Sequence, residues 1–104
     1  MSNEHFLPIF YYMNRKKILQ IFLDTQLKDQ VQGIFGENSY IGVNNLSYVK
    51  SKDSYLINVT LYVNNLDDFE ILYPTTVISF IKMAWSVVGH KKDIIIQSSF
   101  DCVQ

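Results

Sequence analysis

SYLINVTLYVN, residues 54–64, is the stretch on which the fold turns. Tyr55, Ile57, Val59, Leu61 and Val63 alternate with Leu56, Asn58, Thr60, Tyr62 and Asn64. A strict period of two, rich in β-branched and aromatic side chains, predicts a half-buried strand. Just before it, Lys50-Ser51-Lys52-Asp53 reads as a turn, and residues 39–49 as a less regular partner strand. Gly42 and the Asn44-Asn45 pair predict a bulge within that partner.

Outward on the N-terminal side, Ile18, Leu19, Phe22, Leu23, Leu27, Val31 and Ile34 recur at helical spacing. Asn14 is the candidate N-cap, and Gly33 or Gly36 the stop. On the C-terminal side, Pro74 suits the first turn of a second helix running to Gly89, before a last strand over residues 93–100. Residues 9–12 form a short first strand once Pro8 is passed. The order is then β-α-β-β-α-β, a ferredoxin-like α+β sandwich with an antiparallel sheet of four strands and both helices on one face. Without the strand at residues 9–12 the order becomes α-β-β-α-β around three strands.

The whole chain bounds the function. Its 104 residues, 48% hydrophobic and 18% charged, suit one folded domain spanning residues 1–104 and exclude a disordered chain. No linker or internal repeat interrupts it. A net charge of −1 supplies no global pull toward nucleic acid or anionic lipid. Ile, Asn, Lys, Tyr and Phe make up 42 residues, all with AT-rich codons, the bias of a low-GC bacterium or a phage. The start of the chain lacks a basic leader and cleavage site, and Lys82 interrupts the longest apolar run. A cytoplasmic protein that does not span a membrane is the expectation.

Nothing in the sequence spells catalysis or a cofactor. Cys102 is the sole cysteine, and His5, His90 and Cys102 show no ligand spacing, so no metal site is expected. Val31-Gln32-Gly33 resembles the VQG of acylphosphatases, but no catalytic arginine follows it. Gly33-Ile34-Phe35-Gly36 resembles the GxxG of KH domains, without basic residues between the glycines. A helix-ending turn accounts for both.

What remains is surplus apolar surface. In the second helix Val77, Ile78, Phe80, Ile81, Met83, Ala84, Trp85, Val87 and Val88 cover most of the circumference. Only Ser79, Lys82 and Ser86 form a polar stripe. One sheet needs an apolar stripe of roughly 100°, so a helix this apolar is buried on more than one side. The expectation is a small non-enzymatic protein that works by protein–protein contact, as a homo-oligomer or an accessory subunit. Phe80, Met83, Trp85 and Val88 are the apolar anchors, with Tyr48 and Tyr62 as amphipathic ones. The alternative is a single-stranded nucleic-acid-binding module on the open sheet face. There Tyr11, Tyr12, Tyr48 and Tyr62 would stack on bases, with Arg15, Lys16 and Lys17 nearby. Lys50, Lys52, Lys91 and Lys92 would extend a basic patch if their loops converge.

Overall fold

The computed structural model describes residues 14–64, 73–88 and 91–103. The strand expected at residues 9–12 lies outside the described residues, as do Tyr11, Tyr12, His5 and His90. Strand β1 (Tyr40–Val49) runs antiparallel to β2 (Ser54–Val63), and β3 (Asp93–Cys102) pairs in parallel with the other edge of β2. The described sheet is therefore mixed and three-stranded, in the order β1-β2-β3. Helix α1 (Arg15–Thr25) and helix α2 (Lys28–Phe35) precede it, and α3 (Tyr73–Val87) connects β2 to β3. The class is α+β.

The ferredoxin-like order calls for an antiparallel sheet in which the first strand separates the second hairpin strand from the last. Here β3 hydrogen-bonds β2 directly, so the described elements follow the three-stranded alternative. The crossover explains the parallel pairing. Parallel neighbours need a long connection, and α3 supplies it by crossing one face and returning the chain to the adjacent edge.

Alternation places Ile57, Val59, Leu61 and Val63 in the core, where each is at most 1% exposed. Tyr55 packs against the edge of the same cluster. Leu19, Leu23, Leu27, Val31 and Phe35 meet them from the helical side. These five follow one another at intervals of four, which drifts by about 40° per step in a straight helix. The single helix expected from the sequence is instead broken at Gln26 and Leu27, and the break resets the phase so that Leu27, Val31 and Phe35 stay inward. Thr25 marks the break: its hydroxyl donates back to the Ile21 carbonyl at 2.7 Å, a bond that bends helices. Asn14 caps α1 as expected, accepting from the Lys17 N–H at 2.8 Å. Gly36, at φ 103°, closes α2.

Candidate interaction surfaces

The bulge predicted from Gly42 and Asn44-Asn45 falls between Val43 and Asn45 and decides which tyrosines share a face. Before it, Tyr40 pairs with Tyr62 on the open face. After it, Tyr48 pairs with Tyr55 on the helix-facing side. Tyr48 therefore does not join Tyr62, contrary to the expectation from sequence. One extra residue reverses the side of everything beyond it.

On the open face, Tyr40 and Tyr62 stack with centroids 4.7 Å apart and planes at 19°. Gly42 leaves room for that ring: a Cβ there would lie 3.1 Å from Tyr62 Cε2. Beside the stack, Asn44 Nδ2 donates to Thr60 Oγ1 at 2.7 Å, and Thr60 lies 3.1 Å from Ser99 Oγ. The chain of polar contacts crosses all three strands. Asn44, Asn45, Asn58, Gln97 and Ser99 line a shallow depression of about 370 Å³ there.

The helical side is different in kind. Phe80 and Trp85, at 7% and 5% exposure, are buried in the protein's own core, so neither ring offers an external anchor. Trp85 Nε1 donates to the Lys92 carbonyl at 2.8 Å, satisfying the one polar atom of that side chain. The exposed surplus lies elsewhere on the helices: Met83 at 49%, Val87 at 57% and Ile21 at 39%. At about 100° per residue, Met83 and Val87 fall on one flank of the buried stripe of α3, and Lys82 and Ile78 on the other. Beside Val87 opens a groove of about 380 Å³, walled by Ile18, Ile21, Phe22, Thr25 and Gln26 opposite Val87 and Val88. Arg15 spans its end, donating from Nη1 to the Val88 carbonyl at 3.3 Å. Of the predicted anchors, Val88 lines this groove, and Met83 stands one helical turn before Val87 on the same flank. Sequence reading missed Ile18 and Phe22 because their periodicity marked them as core, and Ile21 because it falls outside that periodic set.

A third cluster sits where the β1–β2 turn meets the connection into β3. Asp53, held at φ 48°, receives Lys92 Nζ at 2.8 and 2.9 Å and the Tyr48 hydroxyl. The Lys92 ammonium, and then the Tyr48 hydrogen bond, hold the Asp53 carboxyl below its ordinary value of 3.8. The same carboxylate raises Lys92 and Tyr48 above theirs. Behind it, Tyr48, Tyr55 and Trp85 form a run of tilted rings at 5.3 and 5.1 Å. The loops carrying Lys50, Lys52, Lys91 and Lys92 therefore do converge, with Ser54 and Asp93 as direct neighbours in the sheet.

Arg15, Lys16 and Lys17 open α1, on the helical layer, and the structure does not bring them to Tyr62 on the opposite sheet face. Among the described residues no three of His, Cys, Asp and Glu gather as metal ligands. No helix among them is long and apolar enough to cross a membrane. Comparison with protein-family models, with curated proteins and with solved structures returned no match to this chain.

Proposed function

We propose that this chain is a non-enzymatic assembly protein of the cytoplasm that works by protein–protein contact, with a second copy of itself as the partner. The groove between α1 and the end of α3 carries the reading, because it is an apolar hole with exposed apolar side chains at its rim. Met83 and Val87 project from the flank of α3 that borders the groove. A two-fold axis lets the same patch serve both partners, the apolar rim of each packing into the groove of the other. A stable contact of this kind buries about 800 Å² on each side. Such a pairing removes Ile21, Met83 and Val87 from water, which is the surplus that one sheet leaves over.

Light scattering on the purified protein tests it. The expected mass is a multiple of 12.2 kDa, falling to a single chain in Val87→Lys while the circular dichroism stays unchanged. A wild-type monomer that copurifies with a different protein through this groove would make the chain an accessory subunit instead. A monomer that copurifies with nothing would end the assembly reading. The nucleic-acid alternative on the open face has the Tyr40–Tyr62 stack in its favour, but the cations nominated for it lie on the other layer.

A further inference from the structure

We infer that the end of the molecule where the β1–β2 turn meets the entry to β3 is a binding site for the phosphate backbone of a single-stranded nucleic acid. The site is distinct from the apolar groove and from the open sheet face. Its first support is the distribution of charge. Among the described residues, Lys50, Lys52, Lys82, Lys91 and Lys92 are five of the nine cations, whereas Asp53 and Asp93 are two of six carboxylates. The rest of the described residues balance at four cations and four carboxylates, so the net positive charge among them is concentrated at this end.

The second support is the way the lysines are held. Lys82, Lys91 and Lys92 line a cleft of about 510 Å³ together with Ser86, Asp93 and Ile94. Lys50 and Lys52 lie exposed in the neighbouring turn, which the Asp53–Lys92 bridge fastens to the cleft. Cations on two fastened loops form an extended array, suited to successive phosphates of one strand more than to a single anion. The third support is Tyr48, a residue 47% exposed at this turn and held by its hydrogen bond to Asp53 and its ring contact with Tyr55. A fixed ring beside an array of cations offers a stacking plane for a base of the same strand whose phosphates the lysines hold.

Fluorescence anisotropy of the intact protein with a labelled oligo-thymidylate about 12 nucleotides long tests the site. Binding is expected near 50 mM salt, weakening by 200 mM with a log–log slope of about −2 to −3, as three or four phosphate contacts require. Lys52→Glu and Lys91→Glu should each lower affinity by about tenfold, and Tyr48→Leu by about fivefold or more. Lys28→Glu makes the same change in charge on α2 and should stay within about twofold of wild type. Absence of binding at low salt overturns the inference, as does an equal loss in Lys28→Glu. Polyglutamate competing as well as the oligonucleotide would overturn it in favour of an acidic protein partner.

Discussion

Gly36 and Gly33 lie three residues apart and respond to opposite forces. Gly36 holds φ 103° and ψ 164° where α2 ends, a backbone region closed to side chains. Gly36→Ala is expected to destabilise the fold by about 1–3 kcal/mol in chemical denaturation. Gly33 is inside α2, and a methyl group added there would meet nothing within 4 Å, so Gly33→Ala should stabilise by about 0.5–1 kcal/mol. The same GIFG tetrapeptide thus carries one glycine that the backbone requires and one that it does not. Asp53 makes a different residue-scale case. Its lowered carboxyl gives a contribution present above the ordinary value of 3.8 and lost as pH falls through the lower folded value. The raised Lys92 acts in mirror image: its contribution is present below the ordinary 10.5 and lost as pH rises through the higher folded value. Between those limits the bridge is insensitive to pH. An NMR titration of the Asp53 carboxyl should show a midpoint below 3.8, rising toward the ordinary value in Lys92→Met.

Among the described elements β1 is one of two edge strands, and α1 covers part of its outer edge with one side chain. Gln20 donates from Nε2 to the Ile41 carbonyl at 2.9 Å and accepts from the Val43 N–H at 2.7 Å. The amide stands in for a neighbouring strand just before the bulge, and so satisfies backbone groups that would otherwise template aggregation. Gln20→Ala should therefore cost about 1–3 kcal/mol, more than an ordinary substitution on a polar helix face, by urea denaturation. By spacing, Gln20 falls away from the apolar stripe of Ile18, Leu19, Phe22 and Leu23, a position that by itself suggests only solvent. Periodicity reports which side of a helix is apolar and says nothing about what a polar side chain reaches. The helix break was invisible for a related reason: residues 18–34 keep one rhythm across it, and only the carbonyl-seeking hydroxyl of Thr25 hints at the bend. The alternation of β2, by contrast, was fully legible, since each inward side chain is β-branched or leucine once past Tyr55. The bulge too was legible in Gly42 and Asn44-Asn45. Its consequence for Tyr48 was not, because the face depends on which single residue is extra.

For the whole molecule, the governing fact is that α3 carries more apolar surface than β2, β3 and α1 absorb. Sequence alone pointed to the surplus but assigned it partly to the wrong side chains. Phe80 and Trp85 are large enough to look like anchors, yet their phase aims them at the sheet, and Met83 and Val87 inherit the exposed flank. The groove could not be read in advance, since Ile18, Ile21 and Phe22 wall it only because α1 packs where α3 ends. Mixed NMR samples of isotope-labelled and unlabelled chain test the resulting contact most directly, by filtering for contacts between copies. Intermolecular transfer from the Val87 methyls to Ile21 and Phe22 is expected, abolished by Val87→Lys. No transfer between copies at millimolar concentration, in a sample that tumbles as a single 12.2 kDa chain, would contradict it.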